Sequence, residues 1–176
     1  VTSPVNAGVE RTMNGREDRF AAYFAARSGA MRATAFLLCG DWHRAEDLVQ
    51  NAFVKLYLVW HRVGQDEKLD SYTRQILVRT FLDEKRRGFF RRERPISEVG
   101  DRPLPELDDH VENRVVLVQA LAAVAPRQRA AVVLRIWEDL SIEDTAKTMG
   151  CSTGTVKSQL ARGLTALRSL VPANSV

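Results

Sequence analysis

Between Pro95 and Asp109 the chain holds three prolines and five carboxylates, and its few apolar residues follow neither a helical nor a strand period. Proline removes a backbone donor and crowded like charges resist burial, so no core helix or strand can run through this stretch. The chain is therefore expected to fold as two small bodies, residues 16–94 and 111–171, joined by a flexible acidic linker at 95–110 and flanked by tails at 1–15 and 172–176.

Outside the linker, apolar residues recur at helical spacing and no alternating run lies between hairpin turn residues. The fold class expected is all-α. In the first body, helices are expected over Glu17–Arg27 and Met31–Cys39, parted near Gly29. A third, about Trp42–Arg62, is capped by Gly40-Asp41 and lines up Leu48, Val49, Ala52, Phe53, Leu56, Val59 and Trp60, and a fourth runs from Asp70 or Ser71 to Gly88. In the second body the helices are Val111–Val124, Arg127–Glu138 after a first-turn Pro126, a short one from the Ser141 capping box to Met149, and Thr153–Leu170 capped by Ser152. Gly150 supplies a left-handed stop between the last two.

Composition narrows the function. Against 22 acidic residues stand 26 Lys+Arg, a net charge of +4. Residues 1–90, 91–110 and 111–176 carry +3, −2 and +3, so two basic bodies flank an acidic joint. No apolar run approaches the roughly 18 residues of a membrane span, and the N-terminal stretch lacks a secretory layout, which makes a cytoplasmic protein with no membrane insertion the expectation. Cys39 and Cys151 have no Cys or His at metal spacing and are expected as free thiols. With no Gly-rich phosphate loop, paired metal-ligand histidines or nucleophile elbow, no catalytic residue, cofactor or metal is expected, and the chain is not expected to be an enzyme.

Three segments carry functional chemistry. From Ser141 to Arg162, a short helix, a turn holding Gly150 and a second helix have helix-turn-helix spacing, with Ala146 small at the crossing and Ile142, Met149, Val156, Leu160 and Leu164 as shared core. The outward positions Thr153, Thr155, Lys157, Ser158, Ala161 and Arg162 are short or cationic, suited to phosphates and base edges in a major groove. From Lys85 to Arg94 there are six cations and two phenylalanines, continuing a helix that displays Arg74 and Arg79. A basic stripe with aromatic faces suits a phosphate backbone and unstacked bases. Finally, Glu46, Asp47, Gln50 and Asn51 form a polar flank beside an apolar stripe, able to grip another protein's helix.

Taken in order, Ala45–Phe53, Ser71–Arg87, Leu121–Arg135 and the helix-turn-helix resemble the extracytoplasmic-function, or group IV, sigma factors of bacterial RNA polymerase, and the actinobacterial SigE group in particular. The resemblance covers roughly Phe20 to Leu170. It implies a region 2-like four-helix domain followed by a region 4-like helix-turn-helix domain. By the same resemblance, Glu46, Asp47, Gln50 and Asn51 contact the clamp helices of the polymerase beta-prime subunit, and the second domain meets the flap of the beta subunit. Arg74, Arg79, Lys85 and Arg86 face the minus-ten promoter element, the loop Val63–Leu69 corresponds to the segment that captures a flipped base, and Lys157, Ser158 and Arg162 enter the major groove at the minus-thirty-five element. Ala161 is placed to meet a thymine methyl. An anti-sigma protein is an expected class of regulator.

Promoter opening costs about 1.4 kcal/mol of stacking per base step. Without a nucleotide-binding loop the chain has no chemical fuel, so it must trap bases that open thermally, through stacking worth roughly 1–3 kcal/mol per base. At a net charge of +4 the free chain is expected to bind duplex poorly and to need core polymerase for specificity. The alternative is a stand-alone dimeric helix-turn-helix regulator reading a palindrome; the second basic surface at Lys85–Arg94 is the feature it does not need.

Overall fold

Helix α1 (Pro4–Cys39) runs unbroken for 36 residues, through the glycine expected to divide it. A mid-helix glycine costs about 1 kcal/mol relative to alanine, and packing on both sides outweighs it. Phe20 and Tyr23 before Gly29 and Met31, Phe36 and Leu38 after it all join the same apolar cluster. In the computed structural model residues 4–63, 68–91 and 111–170 are described, and every regular element among them is helical. The expected linker at 95–110, both expected tails except for residues 4–15, and Gly64 to Glu67 of the expected base-capturing loop lie outside the described residues.

Gly40, at φ +74°, ends α1, and the Asp41 carboxylate accepts the Arg44 amide at 2.8 Å to start α2 (Trp42–Val63). Its buried face holds Leu48, Val49, Ala52, Phe53, Leu56 and Trp60, as the spacing predicts. Helix α3 (Leu69–Arg91) lies across α1 and α2 and buries Thr73, Leu77, Val78 and Phe81. Its first turn is tied to α1: the Tyr23 hydroxyl donates to Asp70 Oδ1 at 2.9 Å and lies 2.9 Å from Thr73 Oγ1, while Arg27 pairs with Asp70 at 2.8 Å. Burial pushes the Tyr23 phenol up to about 12.

The second body comprises α4 (Val111–Ala123), α5 (Pro126–Val132), α6 (Ile142–Met149) and α7 (Thr153–Leu170). The single helix expected over Arg127–Glu138 instead changes pitch: α5 gives way to a π-turn at Val133–Trp137. The turn closes with Asp139 in the left-handed region at φ 47° and Leu140 N donating to Leu134 O at 3.0 Å. Aspartate is one of the few residues that tolerates this backbone. Ser141 Oγ then accepts the Asp144 amide at 3.0 Å, Gly150 takes φ 64°, and Ser152 Oγ accepts the Thr155 amide at 3.1 Å.

Helices α5 and α7 approach closely at Gly163, where an added Cβ would sit 2.8 Å from Val132 Cγ2 and 3.0 Å from the Gln128 carbonyl oxygen. Since the carbonyl belongs to helix backbone, it cannot swing aside. Gly163→Ala should lower the unfolding free energy by about 2 kcal/mol, read from urea titration, with wild-type helix content below the transition.

The two bodies share one core. Leu37 of α1 meets Val118, Leu121 and Val133 around a common apolar cavity. Arg129 of α5, only 3% exposed, donates from Nη1 to the Leu38 carbonyl at the end of α1 at 2.6 Å. Along the other edge, α6 lies against α3.

Candidate nucleic-acid interface and partner-binding cleft

On α2, Asp47, Gln50 and Asn51 are exposed and line one polar cleft of about 310 Å³ together with Arg44 and Glu84. Helical spacing of three and four residues stacks the three on one face, and Glu84 reaches the cleft from α3. Glu46 is half-buried on the same helix and does not line the cleft. Further along the helix Val54 and Leu58 are 61% and 69% exposed. Continuing the register from Asp47 through Asn51, they add apolar area to a polar patch, the composition of a protein-binding surface. Sequence periodicity missed them because exposed aliphatics on an amphipathic helix carry no signal of their own.

The basic residues of α3 do not form one free stripe. Arg74 Nε donates to Glu138 Oε2 at 2.7 Å, leaving 17% and 14% of the two side chains exposed. Arg79 is exposed, yet its Nη2 donates to the Lys147 carbonyl at 2.9 Å and its Nε to that of Thr148 at 3.3 Å. Lys85 is half-buried, and burial, followed by the nearby Arg44 and Arg129 charges, pushes its ammonium down from the ordinary lysine range. Arg86 is exposed, with Asp83 one turn back at 3.5 Å. Thus the four cations expected to face one DNA element each lie in a different environment.

The helix-turn-helix expectation fares better geometrically. Thr153, Lys157, Ser158, Ala161 and Arg162 are exposed on α7 and Thr155 is half-exposed, while Val156 is fully buried beneath them. Ala146 and Met149 are buried, and Ile142, Leu160 and Leu164 pack against the core from partly buried positions. The Ser152–Thr155 cap fixes where α7 begins, and the helix presents the small or cationic side chains Thr153, Lys157, Ser158, Ala161 and Arg162 on its exposed face.

Cys39 and Cys151 are free thiols, Cys39 buried. Burial pushes the Cys39 thiol up to about 11, which keeps it protonated and unreactive at neutral pH. Among the described residues no group of three or more His, Cys, Asp or Glu could hold a metal ion, and no helix is long and apolar enough to cross a membrane.

Comparison with known proteins fits this geometry to a family. Residues 23–89 match sigma-70 region 2 and residues 114–167 match sigma-70 region 4. The RNA polymerase sigma-E factor of Streptomyces coelicolor is 38% identical over 154 residues, 85% of this chain and 84% of the relative. The ECF RNA polymerase sigma factor SigE of Mycolicibacterium smegmatis is 35% identical over 148 residues, 80% of this chain and 57% of the relative. Among solved structures, the sigma factor RpoE of Bartonella quintana, crystallised with the anti-sigma factor NepR, superposes with a TM-score of 0.71 at 26% identity, covering 88% of this chain and 98% of that one. With both sigma-70 regions in order on an all-α frame, the chain belongs to the extracytoplasmic-function sigma factors of RNA polymerase.

Proposed function

We propose that the chain binds core RNA polymerase through α2, recognises the minus-thirty-five element through α7 and the minus-ten element through α3, and traps opened bases to start transcription. The observation that carries this reading is the exposed row Lys157, Ser158, Ala161 and Arg162 on the second helix of a capped helix-turn-helix. In this reading residues 16–94 serve polymerase and minus-ten binding, residues 111–171 serve minus-thirty-five binding, and 95–110 link them. Asp47, Gln50 and Asn51, with Glu46 beside them, meet the clamp helices of the beta-prime subunit. The apolar groove of about 280 Å³ bordered by Leu117, Ile136 and Trp137 seats the flap of the beta subunit. The protein acts in the cytoplasm, without catalysis of its own and with no cofactor, and an anti-sigma protein is the class of regulator that fits.

The test is transcription in vitro with purified core polymerase and a promoter library, with and without the chain. New start sites sharing two spaced elements are expected; binding to core without redirected initiation would overturn the reading. In the same assay Arg162→Glu should spare core association and lose discrimination at the upstream element, by about 1–3 kcal/mol at the base pair it reads.

A further inference from the structure

Helix α2 carries two rows of side chains at coiled-coil spacing, and only one of them is covered. The covered row holds Leu48, Ala52 and Leu56 in the core. About half a turn around the axis, Asp47, Asn51, Val54 and Leu58 follow one another at intervals of four, three and four residues, and all four are exposed. That spacing lines up a seam for a second helix lying along the first. From Asp47 to Leu58 it runs three turns, about 17 Å. The outward face of a surface helix is ordinarily polar, and the first half of this seam is. The second half is not: Leu58, at 69%, is the most exposed large apolar side chain among the described residues, and Val54 is 61% exposed. Neither belongs to the apolar core of the molecule.

We infer that this seam takes one helix of the polymerase clamp in one direction only, with Val54 and Leu58 adding affinity by burial and Asp47 setting the direction. The inference rests on the reading of α2 as the polymerase-binding helix and adds two residues and a polarity to it. The helix that fits carries a cation opposite Asp47 and, about two turns on, apolar side chains opposite Val54 and Leu58. Apolar burial supplies the non-directional part of such a contact, while a charge pair fixes register more than it adds affinity. Turned end for end, the same helix would lay its apolar groups on Asp47 and leave a carboxylate desolvated without a partner. A second copy of the chain does not fit. Antiparallel alignment centred between Asn51 and Val54 sets Asp47 against Leu58 at both ends, and parallel alignment sets Asp47 against Asp47. A shifted register that brings Val54 to Leu58 buries only these two aliphatics from each copy, far short of the roughly 800 Å² per partner of a stable interface.

Val54→Thr and Leu58→Gln in the full chain test the apolar half, since each exchanges an aliphatic for a polar group of similar size. Each should weaken association with core RNA polymerase on the order of ten-fold in a titration of labelled protein, with Tm unchanged to about 2 °C because both side chains are exposed. If Asp47→Arg weakens association while both aliphatic variants stay within about two-fold of wild type, the polymerase docks on the polar cleft alone; the seam is overturned and the reading of α2 stands. If none of the three variants weakens it, that reading falls too. Direction has its own readout. Arg44 and His61 are exposed and continue the seam by three residues at either end, so a photo-crosslinking residue at each should mark opposite ends of one clamp helix, with the Arg44 adduct at its cationic end. The reverse order, or adducts on two different helices, overturns the direction. Sedimentation equilibrium of the wild type should show a monomer, and a dimer that Leu58→Gln dissolves would make a second copy the occupant and overturn the inference.

Discussion

Asp47→Arg should reduce association with core RNA polymerase on the order of 100-fold, about 3 kcal/mol. The side chain is exposed in the polar cleft on α2, beside Gln50 and Asn51 and one turn on from Arg44. Reversal removes an acceptor from the centre of the proposed contact and sets a second cation next to Arg44, so a basic partner helix meets repulsion where it met attraction. Folding should not change, because no buried group depends on Asp47: its neighbours Leu48 and Val49 carry the packing of that turn. Titration of labelled variant with core polymerase, paired with a thermal melt, separates the two effects. Retained affinity would remove α2 from the polymerase interface.

The largest loss of stability is expected at Arg129. Among the described residues its guanidinium has no carboxylate partner and is held by carbonyls. Nη1 donates to Leu38 O at 2.6 Å, Nη2 to Ala122 O at 2.5 Å and to Val124 O at 2.9 Å, and Nε to Val124 O at 3.3 Å. These acceptors lie at the C-terminal end of α1 and at and just beyond that of α4, so two negative helix ends converge on one cation. Burial pushes the guanidinium down to about 10, which leaves it charged at neutral pH. The folded value lies below the unfolded one, so burying the charge costs stability throughout the range below about 10, and the cost eases only as pH rises above it. Arg129→Met fills much of the volume but orphans three buried carbonyls, each worth roughly 1–3 kcal/mol. A net loss of about 4 kcal/mol, or roughly 10 °C in Tm, is expected between pH 6 and 9, by calorimetry at several pH values. A loss below about 1 kcal/mol would show that water satisfies those carbonyls.

What the sequence made legible is what local chemistry decides. Asp41, Ser141 and Ser152 are helix caps because a short oxygen-bearing side chain meets amides within its own turn, and Gly150 is left-handed because only glycine adopts that backbone freely. The faces of α2 and α7 followed from their spacing. Gly29 misled because propensity is local and weak, whereas the core that carries α1 through it is assembled from helices of both bodies. The sequence showed Arg74 and Arg79 as a free stripe because their partners lie 64 to 69 positions downstream. Arg129 looked like one more surface cation for the same reason, since the Leu38 carbonyl is 91 positions away.

The wide turn at Val133–Trp137 holds one residue more than an ordinary helical turn would. Each residue in a helix advances the chain by about 100° around its axis. Deleting a single amino acid there would let the wide turn close as an ordinary helical turn: four α-helical steps sweep about 400°, close to the sweep of the five wider ones, so the helices beyond would keep nearly their present azimuth. The same deletion inside α5 or α7 would find no such slack and would turn the apolar face beyond it by about 100° away from the core.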